Sequence, residues 1–164
     1  DVLLTDIKRI PPSSVDPTIK NYHWLDLVTG MLDVYECGHN TAILVDENNN
    51  ISEGPGFNIF SVDKSGINTP DHGVLEGITR QSVINLAKEL ELKININPIS
   101  IEMLKSSDEV FATSTAGGVM PITKVSGKLI GLGKVGTIIR KIHKIYWEKH
   151  YDDNWSLKID DILA

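Results

Sequence analysis

A glycine-rich bend is the feature that most constrains the fold of this chain. Glu53 is followed by a Gly-Pro-Gly sequence, which suits a tight bend where another backbone segment or a ligand can approach closely. The next residues, 58–62, alternate like a half-buried strand. The bend therefore predicts a carboxylate at the entrance to a strand. Such a carboxylate can bind a buried cation or a protonated ring, although a glutamate in a turn is also typical of a solvated surface.

Hydrophobic periodicity predicts the helices and the remaining strands. Apolar residues three and four positions apart predict helices, and short apolar runs between turn residues predict strands. Several strands follow one another through tight turns, so an antiparallel meander is expected. The predicted helices are residues 21–37, 78–90, 101–106 and 136–150, and the predicted strands are residues 2–10, 41–46, 58–62, 67–70, 94–98, 109–113, 119–125 and 128–130.

Composition and charge argue against several classes of function. With 164 residues the chain is long enough for one domain with a real core. The net charge of -6 leaves no basic stripe to neutralise phosphates, which argues against nucleic acid or an anionic membrane as a partner. No apolar run approaches the ~20 residues of a membrane span, and the chain opens without a basic signal-peptide region. Cys37 is the only cysteine, which indicates a reducing compartment, so we expect a cytoplasmic protein.

Lys20 is predicted to lie just before the first helix, residues 21–37. The positive end of a helix dipole disfavours an ammonium group and so favours a neutral, nucleophilic amine. Schiff-base chemistry needs that amine. The alternative interpretation is an ordinary surface lysine.

Two turns have features of a phosphate site. Gly77 precedes Ile78 and Thr79 at the predicted start of a helix, where free backbone N–H groups and the positive dipole end suit a phosphate. A second turn, residues 114–118, has the sequence Ser-Thr-Ala-Gly-Gly after a predicted strand and can hold an anion through its N–H groups. Simpler interpretations exist for both, since Thr79 can serve only as a helix cap and residues 114–118 can be a plain glycine-rich turn.

A third glycine-rich segment, residues 131–136, satisfies the pattern G-x-G-x-x-G of dinucleotide-binding proteins. That fingerprint needs a following strand with an acidic residue at its end, about twenty residues further on. Only one helix and a polar tail follow here, so we reject the nucleotide interpretation. The five histidines lack ligand spacing with Cys or carboxylates, and no metal site is predicted.

A lysine, a carboxylate and two anion-binding turns are the parts that pyridoxal phosphate needs. The aldehyde takes Lys20, the ring nitrogen takes Glu53, and the phosphate takes the turns. The carboxylate keeps the pyridine nitrogen protonated, so that electrons released when a proton leaves the α-carbon of the substrate can enter the ring. The lysine, once displaced by the substrate amine, can carry that proton between the α-carbon and the cofactor.

In order and spacing, these segments resemble the fold-type IV (class IV) aminotransferases, a group that includes the branched-chain, D-amino-acid and (R)-selective amine transaminases. The matching stretches extend from about residue 16 to residue 152. They are Asp-Pro-Thr-Ile-Lys-Asn (16–21), Ser-Glu-Gly-Pro-Gly-Phe-Asn-Ile-Phe (52–60), Thr-Pro (69–70), Leu-Glu-Gly-Ile-Thr-Arg (75–80), Asp-Glu-Val-Phe (108–111) and Thr-Ala-Gly-Gly-Val-Met-Pro-Ile (115–122).

The resemblance implies an α+β fold with a mixed, largely antiparallel sheet or barrel-like core and packed helices, as in the large C-terminal domain of the D-amino-acid aminotransferase-like fold. It also implies transamination between an amino acid or amine and a 2-oxo acid, with pyridoxal 5'-phosphate as cofactor, by a homodimer. Lys20 would be the catalytic Schiff-base lysine, Glu53 the partner of the ring nitrogen, and Leu75 a residue packing on the ring. The phosphate would bind Ile78, Thr79, Ser114 and Thr115, and the substrate pocket would include Trp24, Phe57, Thr115 and Ala116.

Within the family the sequence favours the (R)-amine branch over the branched-chain branch. Lys20 and Asn21 are adjacent and Trp24 lies on the next turn, whereas branched-chain enzymes usually place glycines between the lysine and an Asn-Tyr pair. We therefore expect a transaminase of the branched-chain or (R)-amine type.

The chain differs from the pattern of the family at its N-terminus. Family members carry a smaller N-terminal domain that supplies a phosphate-binding arginine and part of the substrate pocket. We interpret residues 1–15 as a connector from that missing domain and residues 16–164 as the cofactor-binding C-terminal domain, which would be inactive alone. Near its anion turns, only Arg80 is expected to be able to clamp a phosphate.

Other interpretations stay open beside the branched-chain or (R)-amine type. They are a D-amino-acid transaminase, an enzyme like aminodeoxychorismate lyase, and a non-catalytic domain that retains the fold. The pairing of Lys20 with Glu53 argues against the non-catalytic domain, because a domain kept only for binding has no need of both. The lyase uses the same lysine, so an assay with an amino acceptor is needed to separate it from a transaminase.

Overall fold

The computed structural model describes residues 1–157 and has the α+β fold expected from the sequence. Residues 158–164, the end of the predicted C-terminal domain, lie outside the described residues. The helices are α1 (Leu25–Cys37), α2 (Ile78–Glu89), α3 (Ile101–Ser106) and α4 (Thr137–Glu148), and the strands are β1 (Leu3–Lys8), β2 (Ala42–Val45), β3 (Glu53–Gly54), β4 (Phe57–Asp63), β5 (Gly66–Thr69), β6 (Ile94–Ile96), β7 (Glu109–Ser114), β8 (Gly118–Ile122), β9 (Lys124–Val125) and β10 (Lys128–Leu129).

The central sheet has the strand order β6-β5-β4-β7-β8, with β3 paired to the start of β4. Its strand pairs are antiparallel except for β5 and β6, which run parallel. Beside this sheet, β1 and β2 form a parallel pair, and β9 and β10 form an antiparallel hairpin. Within residues 1–157 the sheet stays open. The mixed, largely antiparallel sheet is therefore confirmed, and the barrel-like alternative is wrong.

Strands β4 and β7 alternate their side chains between two apolar cores, as the two-residue period of a strand requires. Ile59 and Val110 face a core that includes residues of β2 and α3, whereas Phe60 and Phe111 face a core shared with α2 and α4. The rings of Phe60 and Phe111 stack, with centroids 4.8 Å apart. Because both faces are covered, β4 is buried along its interior and is not the half-buried strand that its sequence predicts.

Helix α1 begins later than predicted, at Leu25, with Trp24 as its N-cap. Asn21 explains the delay, because its side chain accepts a hydrogen bond from the His23 N–H at 2.9 Å and donates one to the Ile19 carbonyl at 2.9 Å. Such local side-chain bonds compete with helix formation. The C-terminal end agrees with prediction, since Gly38 adopts the left-handed conformation with φ 72°.

The glycine-rich segment 131–136 forms a turn and leads into the start of α4. Gly131 and Gly133 have positive φ angles, and a Cβ at Gly136 would overlap the carboxylate of Glu109. That buried carboxylate accepts hydrogen bonds from the N–H groups of Ile138 and Ile139 at 3.1 and 2.9 Å. The start of α4, where a phosphate would bind, is thus occupied by a carboxylate of the chain itself.

Within residues 1–157, the helices are all too short or too polar to cross a membrane. The same residues contain no group of three or more His, Cys, Asp and Glu side chains that could hold a metal ion.

Candidate active site

A cavity of about 320 Å³ lies where the β3–β4 bend, the start of α2, the end of β7 and the loop before α1 meet. Nine of the ten predicted site residues line it, and Ala116 is the exception. The nine are Lys20, Trp24, Glu53, Phe57, Leu75, Ile78, Thr79, Ser114 and Thr115. Residues from four separate segments of the sequence therefore come together in one place.

Glu53 lines the cavity and is only 6% exposed. Its Oε1 accepts hydrogen bonds from Nε and Nη2 of Arg9 at 3.1 and 3.0 Å. Its Oε2 accepts one from the Leu75 N–H at 3.0 Å and a longer one from Nδ2 of Asn58 at 3.4 Å. Burial raises the pKa of Glu53 above its usual value, although the Leu75 N–H and Arg9 both lower it. This is a buried carboxylate surrounded by donors and not a solvated turn.

Arg9, which the sequence analysis did not identify, connects β1 to this carboxylate. Its Nη1 lies 2.6 Å from Oδ2 of Asp26, and the same oxygen accepts the Ile10 N–H at 2.8 Å. Burial lowers the pKa of Arg9, but the hydrogen bond to Asp26 and the charges of Glu53 and Asp26 outweigh it, so that the pKa is raised. The three side chains form a buried cluster, which we call the Arg9 cluster: Arg9, Asp26 and Glu53. The local sequence does not predict this cluster, because its three residues lie in three separate segments of the chain.

The glycines of the bend allow this geometry. A Cβ at Gly54 would overlap the ring of Phe57 and would lie 2.5 Å from the Ala42 carbonyl oxygen of β2. Gly56 adopts a positive φ of 84°, which side chains other than glycine rarely take. The close approach of β2 and the ring of Phe57 thus hold Glu53 directly opposite Asn58 in the strand pair.

Asn58, also missed by the sequence analysis, connects the carboxylate to the loop before α2. Its Nδ2 donates to the Leu75 carbonyl at 2.9 Å, while the Leu75 N–H binds Glu53. A Cβ at Gly77 would overlap Oδ1 of Asn58. This packing fixes residues 75–77, and with them the first turn of α2.

The N-terminus of α2 has no side-chain cap, and its N-cap residue is Gly77. The interpretation of Thr79 as a mere cap is therefore wrong; Thr79 is buried and lines the cavity. First-turn N–H groups of a helix lack intrahelical partners, so this end can bind an anion. The prediction for Arg80 is not supported, because Arg80 donates to Glu76 and to the Pro70 carbonyl and does not line the cavity.

The second anion-binding turn joins β7 to β8. The Oγ of Ser114 accepts the Gly117 N–H at 2.9 Å, which closes the turn, and Thr115 is exposed on the cavity side. At the end of β7, the Oγ1 of Thr113 is buried on the cavity wall without a hydrogen-bond partner in the described part of the chain. This end of the cavity can therefore accept further hydrogen bonds.

Lys20 lies on an exposed loop five positions before the first residue of α1. The dipole argument for a neutral amine is therefore wrong in its geometry, since the helix does not begin beside Lys20. Its Nζ lies 5.9 Å from the ring centroid of Trp24. Asp16 shapes the preceding loop by accepting hydrogen bonds from the N–H and Oγ1 of Thr18 at 2.9 and 2.7 Å.

The residues present fit pyridoxal phosphate. The Arg9 cluster carries two carboxylates and one guanidinium, so it has one surplus negative charge to balance a protonated ring nitrogen. The uncapped start of α2 suits the phosphate, and the amine of Lys20 is available to the aldehyde. Each functional end of the cofactor thus has a matching group on the cavity wall.

Comparison with known proteins agrees with this geometry. The family described as amino-transferase class IV matches residues 2–125. The branched-chain-amino-acid aminotransferase of Escherichia coli (strain K12) is 31% identical over 150 residues, which cover 90% of this chain and 48% of that protein. The chain spans about half the length of the curated relatives that it matches.

Solved structures show the same fold. The branched-chain amino acid aminotransferase from Thermobaculum terrenum in its PLP form has a TM-score of 0.89 and 28% identity, over 94% of this chain and 53% of that one. The branched-chain aminotransferase from the archaeon Thermoproteus uzoniensis, solved with norvaline, has a TM-score of 0.85 and 28% identity, over 90% of this chain and 50% of that one.

Proposed function

Because this chain belongs to the class IV aminotransferases, we propose that it catalyses pyridoxal-phosphate-dependent transamination between an amino acid or amine and a 2-oxo acid. The observation that carries the proposal is the buried carboxylate of Glu53 on the same cavity wall as Lys20 and the uncapped start of α2. A pocket formed only by apolar packing is not expected to contain this combination of groups.

Each group has a distinct task in the proposed reaction. The Nζ of Lys20 would hold the aldehyde of the cofactor, and the same amine would move the proton of the substrate α-carbon. Glu53 would keep the ring nitrogen protonated, and Leu75 would hold the ring by packing. The bound cofactor supplies an electron sink for the electrons left on the substrate. The phosphate would be held by Ile78, Thr79, Ser114 and Thr115.

The substrate type is proposed to be branched-chain or (R)-amine. The relatives described above are named branched-chain aminotransferases, whereas the adjacency of Lys20 and Asn21 favours the (R)-amine branch. Trp24, Phe57 and Thr115 are the proposed pocket residues that line the cavity. Ala116 lies outside the lining, so its proposed role in substrate binding has no support from the cavity.

A further protein surface is proposed to complete the site. The outer face of α1 exposes Leu25, Val28, Leu32 and Tyr35 at three- and four-residue spacing, with exposed fractions of 77%, 49%, 57% and 76%. Contiguous apolar surface of this kind is typical of an interface. It supports the predicted N-terminal domain and homodimer. The cytoplasmic location stays a prediction from composition.

Borohydride reduction in the presence of pyridoxal phosphate tests the proposal. Peptide mass mapping should place the pyridoxyl adduct on Lys20, and Lys20→Ala should abolish it. Lys64→Ala, which changes an exposed lysine in the β4–β5 turn, is the matched control and should keep the adduct. An adduct on another lysine would sink the assignment. Supplying an amine and a 2-oxo acid to a version extended at its N-terminus then separates a transaminase from a lyase, since only the transaminase aminates the acceptor.

A further inference from the structure

We infer that Arg9 is a positioning residue: held by Asp26, its guanidinium keeps Glu53 ionised and in place for a protonated ring nitrogen. The inference deepens the proposed function and rests on it. It assigns a role to a residue that lies eleven positions before Lys20 and outside the recognised sequence stretches.

The geometry of Arg9 leaves its guanidinium little freedom. Nε and Nη2 both bind Oε1 of Glu53, while Nη1 binds Asp26. The side chains of Arg9, Asp26 and Glu53 are only 13%, 7% and 8% exposed. Charges buried to this extent need hydrogen-bonded partners. Removing the guanidinium would therefore leave two buried carboxylates without their common cation.

The charge of Glu53 depends on that cation. Burial alone favours the neutral acid, which cannot hold the proton of a ring nitrogen as a counter-ion. The Leu75 N–H and Arg9 both lower the pKa of Glu53, Arg9 through its charge and its hydrogen bonds, whereas the charge of Asp26 raises it. The other charged side chains on the cavity wall are Lys20 and Glu76, and Glu76 is paired with Arg80 at 2.7 Å. Arg9 is thus the cation that is hydrogen-bonded to Glu53.

Arg9 also determines which carboxylate oxygen stays available. Oε1 accepts two N–H groups of Arg9, whereas Oε2 accepts the Leu75 N–H and the long 3.4 Å contact from Asn58. A carboxylate has about four acceptor positions, and the long contact is the weakest of those filled. Oε2 is therefore the oxygen that a ring N–H can engage with the least loss.

Binding of two cofactors that differ at one atom tests the inference. Pyridoxal phosphate and its 1-deaza analogue, in which a C–H replaces the ring nitrogen, should bind the unaltered chain with different affinities. Arg9→Gln should reduce this preference by about tenfold or more, the factor that corresponds to one pKa unit. Arg9→Lys should restore part of it by returning the charge. Arg140→Gln, the matched control, removes an exposed guanidinium and should leave the preference unchanged.

A second measurement does not use the cofactor. Carboxyl-13C NMR of the cofactor-free chain, with the Glu53 signal identified by its loss in Glu53→Gln, should show a higher Glu53 pKa in Arg9→Gln than in the unaltered chain. Equal loss of affinity for both cofactors, together with an unchanged Glu53 pKa, would overturn the inference and leave Arg9 a merely structural residue.

The outcomes separate the inference from the proposed function. If the unaltered chain binds neither cofactor, the proposed function fails, while the NMR titration still decides whether Arg9 keeps Glu53 ionised. If Arg9→Gln does not fold, Arg9→Lys is compared with the unaltered chain instead. Lysine keeps the charge but lacks the planar fork of N–H donors that joins Glu53 to Asp26, so the preference should fall by a smaller factor than the one expected of Arg9→Gln; an unchanged preference overturns the inference.

Discussion

Replacing Gly54 by alanine tests whether the β3–β4 bend holds the site as the structure indicates. The added Cβ would overlap the ring of Phe57 and lie 2.5 Å from the Ala42 carbonyl oxygen. The ring can rotate away, but Ala42 belongs to β2 and is fully buried, so β3 has to move. Since Glu53 immediately precedes Gly54, its carboxylate would move away from Arg9 and from the Leu75 N–H.

The free energy of unfolding should fall by about 2 kcal/mol. Overpacking a buried site costs about 1–3 kcal/mol, and contact with a fixed backbone oxygen places this site toward the upper end. A gain of about 0.4–1 kcal/mol from the stiffer unfolded chain opposes it. For a chain of this size the midpoint of thermal unfolding should then fall by about 4–8 °C. Urea and thermal unfolding followed by circular dichroism measure both quantities.

The double variant Gly54→Ala/Phe57→Ala is the diagnostic comparison. It removes the overlap with the ring but keeps the contact with the Ala42 carbonyl oxygen. Gly54→Ala should therefore lower the free energy of unfolding by less in the Phe57→Ala variant than in the unaltered chain, but it should still lower it. Pyridoxal phosphate should also bind Gly54→Ala more weakly, because Glu53 is displaced. A single variant as stable as the unaltered chain, with unchanged cofactor affinity, would refute the steric reasoning.

Three further predictions concern the charge of Glu53 and the extent of the protein. In a version extended at its N-terminus, Glu53→Gln should raise the barrier to proton abstraction by several kcal/mol, on the order of a removed preorganised electrostatic group, and unchanged turnover would show that this charge does not serve the ring. The folded-state pKa of Glu53 is raised above 4.5, so its contribution to stability is present below pH 4.5 and is lost as pH rises through the folded-state pKa. The free energy of unfolding, measured across this range, should therefore fall with rising pH more in the unaltered chain than in Glu53→Gln, and parallel curves would contradict this. Transaminase activity at saturating cofactor should be higher for a version extended at its N-terminus than for residues 1–164, and equal activities would show that this domain completes its own pocket.

Local chemistry in the sequence determined most helix and strand positions. The apolar spacing after Gly77 predicted a helix at residues 78–90, and α2 runs from Ile78 to Glu89. Ser100 accepts the Met103 N–H and caps α3, whose bounds agree with prediction. Gly38 ends α1 where expected. Caps, turns and periodicity act over a few residues, so a single sequence contains them in full.

The sequence also predicted that the site residues lie together, because its stretches resemble those of a known family in the same order. Lys20, Glu53 and Thr79 lie on one cavity wall, although their roles stay proposals. The local argument for Lys20 was wrong because the side chain of Asn21 delays the start of α1. A hydrogen bond of that kind changes a helix boundary without changing the hydrophobic pattern.

Only the tertiary structure decided the environment of Glu53. From the sequence alone, a glutamate in a bend is typical of a solvated turn, and a buried ion pair is the alternative. Arg9 reaches it across 44 positions of sequence, and Asp26 joins from α1. Which charges meet depends on the pairing of β1 with β2 and on the packing of α1 over them. Burial and pairing at that separation are properties of the assembled chain, because they arise only when distant elements exclude water from the same place.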